Sequence, residues 1–351
     1  MRLFTEYRTE QSRQVDAKVG HWLLIATMCC GLELGAVGAS STDDTAALNQ
    51  APTPSAVFPR RTARFRPRAP QNTYEAQLVL ARFGISPGSL DGVIGSQTRA
   101  AFRAFQDREG LPNTGRLDAI TRSRLLLTDP PERTYLVTID DLARLQPVEP
   151  TWLGKSMQQR LDYETILELL AEKGWAYPNL IRQLNPLIDW TKVPAGTRVT
   201  IPSVAMPAVL ARAALVRIRL SERALQAFDE NNGLLAHFPC SIARRIEKRP
   251  IGELLVEKIA GYPSYRFDPG IFPESAEARR LGRVLHIPPG PNNPVGTTWI
   301  GLNRLGYGIH GSPRPESVGR TESHGCFRLA NWNAAYLAQL VRVGTRVIVE
   351  P

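Results

Sequence analysis

Cysteine and histidine are scarce in this sequence, which limits the covalent and metal chemistry open to it. The 351 residues include four cysteines and five histidines. Four cysteines in so long a chain do not make a disulfide scaffold. If Cys29 and Cys30 leave with an export signal, Cys240 and Cys326 remain as one disulfide or two free thiols. No C-x-x-C or H-E-x-x-H pattern occurs, so the usual zinc-site spacings are absent.

A long apolar run is also missing near the N-terminus. The run Trp22–Cys30 is followed by Glu33 and is too short for a membrane span of about 20 residues. A polar stretch with basic residues precedes it, and small residues precede Ser40, as at a cleavage point for export. We therefore expect residues 1–39 to be a signal peptide, with an uncleaved membrane anchor as the alternative, and the protein to act in the periplasm or cell envelope.

Acidic residues are outnumbered by basic ones, 33 against 43, which gives a net charge of +10. Such a balance favours anionic partners such as nucleic acid, acidic lipid or an acidic wall polymer. Much of the charge lies in residues 58–68, an arginine-rich run without an acid, within a segment (40–72) whose composition predicts a disordered linker. No basic helix or aromatic RNA-binding signature accompanies it, so we do not expect nucleic acid as a partner.

Residues 73–130 change to a helical pattern. TYEAQLVLARFGI and SQTRAAFRAFQDREG carry apolar stripes with helical spacing, and LPNTGRLDAITRSRLL predicts a turn and a third helix. The run SLDGVIGSQTRAAFRAFQDREGLPNTGRLD resembles the three-helix peptidoglycan-binding module of cell-wall enzymes. The alternative is a packing module of the same fold that binds nothing.

Residues 133–205 predict a smaller mixed unit. TYLVTI alternates like a strand, YETILELLAEKG predicts a helix closed by Gly174, and TRVTIP predicts a second strand. The string LIRQLNP…VPAGTRVTIP resembles the second half of a LysM glycan-binding repeat, although the usual opening signature is missing and an insertion follows the first strand. A helical spacer between two domains is the alternative.

Residues 211–351 are predicted to be mainly β. Apolar alternation, a hairpin turn at Asn231-Asn232-Gly233 and a single convincing helix, NWNAAYLAQLV, favour a sandwich-like domain. The whole chain is therefore expected to be a multidomain α+β protein.

The stretch GYGIHGSPRPESVGRTESHGCFRLAN holds the residues with most chemical potential. Cys326 follows His310 by 16 residues, which suits a strand, a polar loop and a return, and would let His310 activate the thiol. Gly325 permits the close backbone approach that an oxyanion hole needs. Two alternatives stay open, a metal site that adds His286 and His324, and a structural thiol.

Two sequence blocks in this region resemble the L,D-transpeptidase (YkuD-type) catalytic domain of bacterial cell-wall enzymes. They are GPNNPVGTTWIGLNRLGYGIHGS and SHGCFRL, and they occur in the family's order and spacing. The resemblance implies that Cys326 is the nucleophile and His310 its general base. It also implies that the main-chain carbonyl of Gly311 is the third member, and that the N–H groups of Gly325 and Cys326 stabilise the oxyanion.

Further site positions are assigned by the same resemblance. His324 is expected to shape the pocket, with a structural hydrogen-bonded histidine as the alternative. Ser323 and Arg328 are expected to bind substrate, Arg328 by holding a carboxylate in two hydrogen bonds, unless it forms a structural salt bridge. Trp299 and Tyr307 are expected to line the stem-peptide groove, with core aromatics as the alternative.

Three other residues are expected to be structural, namely His237, His286 and Cys240. Cys240 stands where a small aliphatic residue is expected, and we predict a buried free thiol in preference to a disulfide with Cys326. The loop 312–322 is predicted to form the rim of the substrate groove.

The resemblance implies acyl transfer on peptidoglycan stem tetrapeptides, through a Cys326 thioester with release of D-Ala. The acceptor would be a stem amine, giving a 3→3 cross-link, a lysine of a wall-anchored lipoprotein, or water, giving an L,D-carboxypeptidase. No metal or organic cofactor is implied, and the expected partners are stem peptides and glycan, with membrane contact only through an uncleaved N-terminal segment. The alternative from another class is a non-catalytic peptidoglycan-binding scaffold.

Overall fold

The computed structural model describes residues 65–272 and 274–351. The predicted signal peptide, 1–39, and most of the predicted linker, 40–72, lie outside the described residues. Within the described ranges, no helix has both the length and the apolar character needed to cross a membrane.

The first region is built from three helices, as the apolar stripes predict. Side chains cap two of them, since Asn72 accepts from the Glu75 N–H and Asp118 from the Thr121 N–H. Phe102 is fully buried in their core. The helices are α1 (Thr73–Arg82), α2 (Ser96–Arg108) and α3 (Ala119–Arg124).

The prediction of disorder is wrong for the end of the predicted linker, residues 65–72, which hydrogen bonds hold in place. Arg68 and Leu127 exchange two backbone hydrogen bonds, of 3.1 and 2.8 Å. The Arg68 guanidinium also binds both carboxylate oxygens of Glu75 at 2.6 Å. Composition alone could not predict this order, because the carboxylate that binds Arg68 lies on the following helix.

The middle region is a two-stranded antiparallel sheet with helices between its strands. In the register of the pair, Glu132 lies opposite Pro202 and Leu136 opposite Arg198. The two short helices after the first strand are the insertion that the sequence predicts, and the likeness to a LysM repeat stays a prediction. The elements are β1 (Glu132–Leu136), α4 (Ile139–Ala143), α5 (Trp152–Met157), α6 (Ile166–Lys173), α7 (Pro178–Leu184) and β2 (Arg198–Pro202).

The last region is mainly β, as predicted. Its strands are β3 (Leu215–Arg219), β4 (Ala224–Phe228), β5 (Leu234–Pro239), β6 (Gly252–Gly261), β7 (Tyr265–Phe267), β8 (Leu285–Ile287), β9 (Thr298–Leu302), β10 (Gly308–His310), β11 (Phe327–Arg328) and β12 (Arg346–Glu350). Its helices are α8 (Ala276–Leu281) and α9 (Asn331–Leu340), of which the sequence predicts only the second.

One curled sheet of eight strands forms the core of this region, in the order β11-β10-β9-β6-β12-β3-β4-β5. Alternate residues of its central strands are buried, for example Val216 and Ile218 in β3. Buried apolar residues of α9, among them Leu337 and Leu340, belong to the same hydrophobic cluster.

A small lobe stands apart from this sheet. β7 pairs with β8, and both pack on the middle region through a separate apolar cluster that includes Phe267 and Leu161. Trp152 of α5 stacks on Phe267 with ring centroids 4.3 Å apart. The inserted helix therefore supports a part of the last region.

The first region covers the free edge of the large sheet. The Ser86 N–H donates to the His237 carbonyl at 2.8 Å, and the His237 N–H donates to the Gly84 carbonyl at 3.0 Å. His237 lies on the edge strand β5, so these bonds satisfy backbone groups that would otherwise be open to pairing. His237 is buried, as expected of a structural residue.

Candidate active site

The two sequence blocks meet on neighbouring parallel strands at one end of the large sheet. Ile309 of β10 lies opposite Phe327 of β11, and His310 lies opposite Arg328. Ile309 and Phe327 are buried in the core. Since successive side chains on a strand point to opposite faces, His310, Arg328 and the preceding Cys326 share the other face. The strand–loop–strand arrangement expected from the 16-residue spacing is present.

His310 is held by its own loop and by an aromatic ring. Its Nδ1 lies 2.7 Å from the Gly311 carbonyl oxygen, and because a carbonyl only accepts, Nδ1 carries the proton and Nε2 keeps a free lone pair. Trp299 stacks on the imidazole with centroids 5.6 Å apart. Gly308 makes room for this stack, because a Cβ there would lie 2.6 Å from the Trp299 ring.

Burial keeps the His310 imidazole neutral. It lowers the pKa of His310 to about 4, against the hydrogen bond to Gly311, which acts to raise it, and with the nearby charge of Arg328, which lowers it further. Above that pH the ring has its lone pair available for a proton.

The Cys326 thiol is the second neutral partner. Burial raises its pKa to about 11, although a backbone hydrogen bond from Gly308 and the Arg328 charge act in the opposite direction. Its Sγ lies 3.4 Å from the Gly306 carbonyl oxygen, and the residue keeps part of its surface open to solvent. The resting site therefore holds a neutral thiol and a neutral imidazole, not an ion pair.

The turn before Cys326 is tied together by Ser323. The Ser323 hydroxyl donates to the Cys326 carbonyl and accepts from the Gly325 N–H at 3.2 Å. The Gly325 N–H is thus already engaged, whereas the Cys326 N–H makes no hydrogen bond to another of the described residues. Of the two expected oxyanion donors, the Cys326 N–H is the one free in this conformation.

Arg328 lies beside the thiol with unused hydrogen-bonding capacity. Its Nη2 donates to the Glu322 carbonyl, while its Nε is buried without a partner. Among the described residues it forms no salt bridge, so the alternative of a structural ion pair finds no carboxylate here. Burial lowers its pKa, and the nearness of Cys240 and Cys326 raises it.

His324 and Tyr307 lie around the turn that precedes Cys326, with different neighbours. His324 has an exposed side chain whose Nε2 lies 3.1 Å from a Glu274 carboxylate oxygen, and its ring meets Phe272 edge-on. Tyr307 donates to the Lys248 carbonyl at 3.0 Å. His324 thus contacts residues 272 and 274, which follow β7, and its role in shaping a pocket stays a prediction.

The residues of the alternative metal site do not form one cluster in the part of the chain that the structure describes. His286 is exposed on β8, opposite Arg266 in the register of the small sheet. Within residues 65–272 and 274–351, no three histidine, cysteine or acidic side chains form a group able to hold a metal ion. Cys240 is buried and free, its pKa raised to about 12 by burial, and Cys326 is also free.

Sequence reasoning missed the residue that joins the loops of the site. Asn331, the first residue of α9, is buried, and its Oδ1 accepts from the backbone N–H groups of Thr297 and Ser312 at 3.2 and 3.1 Å. The sequence did show an asparagine at the start of a predicted helix. Such a residue usually caps its own helix, whereas Asn331 does not, so its position gave no indication that it binds two loops of the site.

Two family models match the chain. Residues 213–349 match the L,D-transpeptidase catalytic domain of the YkuD family. Residues 70–125 match the family described as "Putative peptidoglycan binding domain".

Individual proteins are similar to parts of this chain. "Putative L,D-transpeptidase YkuD" of Bacillus licheniformis is 27% identical over 185 residues, covering 53% of this chain and 93% of that protein. "Probable L,D-transpeptidase ErfK/SrfK" of Escherichia coli is 30% identical over 178 residues, covering 50% of this chain and 56% of that protein. A crystal structure of L,D-transpeptidase 3 from Mycobacterium tuberculosis with a faropenem-derived adduct has 15% identity, a TM-score of 0.32, and covers 46% of this chain and 76% of that one.

Proposed function

We propose that this chain, whose residues 213–349 match an L,D-transpeptidase catalytic domain and whose residues 70–125 match a peptidoglycan-binding family, transfers peptidoglycan stem peptides through a thioester on Cys326. The observation that carries this proposal is the shared face of β10 and β11, which brings together an imidazole with a free Nε2 and a thiol of partial exposure.

In the first half-reaction, Cys326 Sγ attacks the carbonyl carbon of the third, diamino-acid residue of a stem tetrapeptide. The C–S bond forms and the C–N bond to D-Ala breaks. His310 Nε2 takes the thiol proton and passes it to the leaving amine, so that no charge is left on the enzyme. The Cys326 N–H, which is free of other described partners, is proposed to stabilise the oxyanion of the tetrahedral intermediate.

In the second half-reaction, an amine attacks the thioester, its C–N bond forms, and the C–S bond breaks. His310 takes a proton from the attacking amine and returns it to sulfur. We propose the side-chain amine of a second stem as acceptor, which gives a 3→3 cross-link. A lysine of a wall-anchored lipoprotein or a water molecule would use the same thioester, and the products separate the three cases.

Substrate recognition rests on Arg328 and the groove rim. The Arg328 guanidinium, whose charge acts on the Cys326 thiol, is proposed to bind a carboxylate of the donor peptide. His324, Tyr307 and Trp299 are proposed to shape the groove, and Ser323 to hold the turn that presents Cys326. An enzyme acting on such peptides works in the cell envelope, which agrees with export by residues 1–39.

The direct test is release of D-Ala from purified disaccharide tetrapeptides by the full chain. We expect release by the wild type, none by Cys326→Ala, and normal release by Cys240→Ala, a matched control that removes the other described thiol. A carbapenem should add one acyl group, and peptide mapping should find it at Cys326. Identical traces for wild type and Cys326→Ala would refute catalysis and leave a peptidoglycan-binding scaffold.

The acceptor is identified in a separate experiment on purified sacculi. Mass spectrometry of the digested products would show 3→3 linked dimers for cross-linking, stem peptides bound to a lysine for protein attachment, or tripeptides for hydrolysis. A mixture dominated by tripeptides even with abundant acceptor would contradict the proposed transfer to an amine.

A further inference from the structure

A chain of hydrogen bonds joins the middle region to the catalytic loop. The Asn331 Nδ2 donates to both carboxyl oxygens of Glu172, at 3.0 and 3.1 Å. Glu172 lies on α6, and 159 positions separate it from Asn331 in the sequence. The bond therefore exists only because the middle region is docked on the last region.

The other end of Asn331 reaches the peptide group that orients His310. The Asn331 Oδ1 accepts from the Ser312 N–H, and the carbonyl of the same peptide unit, that of Gly311, accepts from His310 Nδ1. A peptide unit is planar, so fixing its N–H direction fixes its C=O direction as well. Asn331 thus controls the orientation of the carbonyl that holds the imidazole.

The packing around Asn331 leaves this peptide little room to move. A Cβ at Gly311 would collide with the Asn331 carboxamide, and one at Gly296 would lie 2.6 Å from the Gly311 carbonyl carbon. The carboxamide can hold the loop only while its own position is set, and Glu172 is its main partner on the Nδ2 side, since the remaining contact, to the Pro291 carbonyl, is 3.4 Å long.

We propose that Glu172 and Asn331 are positioning residues for the catalytic base. Glu172 holds the Asn331 carboxamide, the carboxamide holds the Gly311–Ser312 peptide, and the peptide holds His310 Nδ1, so the middle region contributes to the reaction without touching substrate. This inference rests on the proposed function, because it concerns the base of that reaction.

The test separates positioning from folding by a kcat and KM comparison on the full chain. We expect Glu172→Ala and Asn331→Ala to lower kcat for D-Ala release by about 10- to 100-fold with KM nearly unchanged, since a base displaced by about 1 Å costs up to roughly 10²-fold. Glu168→Ala is the matched control, because Glu168 lies one turn earlier on α6, lines one cavity together with Glu172, and binds Asn292 instead of Asn331.

Conservative variants supply the rescue. Burial raises the pKa of Glu172 to about 8, so a neutral Glu172→Gln should keep most activity. Asn331→Asp should be impaired at alkaline pH, where Glu172 loses the proton that it could donate and two carboxylates then face each other. The double variant Asn331→Asp with Glu172→Gln should recover, since the amide introduced on α6 then donates to one oxygen of the new carboxylate, whose second oxygen still accepts the Ser312 N–H.

The possible failures are distinguishable. An inactive wild type would overturn the proposed function and this inference with it. An active wild type whose Glu172→Ala variant equals Glu168→Ala, or whose loss lies in KM alone, would overturn only the positioning role. If the alanine variants do not fold, the test is the comparison of Asn331→Asp with the double variant Asn331→Asp, Glu172→Gln. Activity that does not recover in the double variant would contradict the proposed chain of hydrogen bonds.

Discussion

Replacing Gly296 with alanine should damage the candidate site more than the fold. Gly296 closes the GPNNPVG block and has φ +62, in the left-handed region that favours glycine. A Cβ added at Gly296 would point into the site, where it would lie 2.6 Å from the Gly311 carbonyl carbon and 2.7 Å from the Ser312 nitrogen. Alanine therefore pushes directly on the peptide that holds His310.

Two contributions set the size of the effect. An L-residue in the left-handed region costs about 1–2 kcal/mol, offset by about 0.4–1 kcal/mol from the stiffer unfolded chain. The collision with backbone atoms adds about 1–3 kcal/mol, as for other overpacked sites. Gly110→Ala isolates the first contribution, since Gly110 has φ +65 and open space where the Cβ would stand.

The assay compares the two variants by thermal midpoint and by D-Ala release. We expect Gly110→Ala to lose about 1 kcal/mol and keep its activity. Gly296→Ala should lose about 1–3 kcal/mol more, and its kcat should fall by up to roughly 10²-fold because the loop shifts. Equal losses of stability in both variants, or full activity in Gly296→Ala, would refute the close contact on which this reasoning depends.

Two further predictions concern protons. Because burial raises the pKa of Glu172 to about 8, the folded protein binds this proton more tightly than the unfolded chain does. The resulting contribution to the free energy of unfolding is complete below the ordinary pKa of 4.5 and is lost as the pH rises through about 8. Denaturant midpoints measured from about pH 5 to about pH 9 should therefore fall more steeply for the wild type than for Glu172→Gln. Alkylation of Cys326 by iodoacetamide should be slow near neutral pH and become faster towards a pH of about 11. The reaction should be slower in Arg328→Gln, because the charge that lowers the pKa of the thiol is gone, and buried Cys240 should react only on unfolding. Fast alkylation of Cys326 in mildly acidic buffer would contradict a neutral thiol.

The sequence was sufficient for residues whose partners are close along the chain. The 16-residue separation of His310 and Cys326 predicts two adjacent strands, and the alternation of buried residues then gives both side chains one face. The helix at Ile166–Lys173 and its end at Gly174 follow from local pattern in the same way.

Contacts between residues that are distant along the chain could not be predicted from the sequence. The contact between Glu172 and Asn331 depends on how two regions dock, and no spacing rule encodes it. Arg68 illustrates the same limit, since the run of like residues around it predicts disorder while one carboxylate on the next helix orders it. Long-range polar pairs of this kind satisfy buried groups one at a time and leave no periodic signal.

The protonation states explain why positioning matters so much at this site. The pKa values of Cys326 and His310, about 11 and about 4, differ by about seven units. Burial opposes the charged form of each group, so moving the proton before attack is unfavourable. In the proposed reaction the proton would therefore leave sulfur as the C–S bond forms, when the developing charge passes to the oxyanion and its donor. We expect a base this weak to contribute through alignment more than through proton affinity, and therefore expect the hydrogen bonds that fix the Gly311–Ser312 peptide to affect the rate of the proposed reaction.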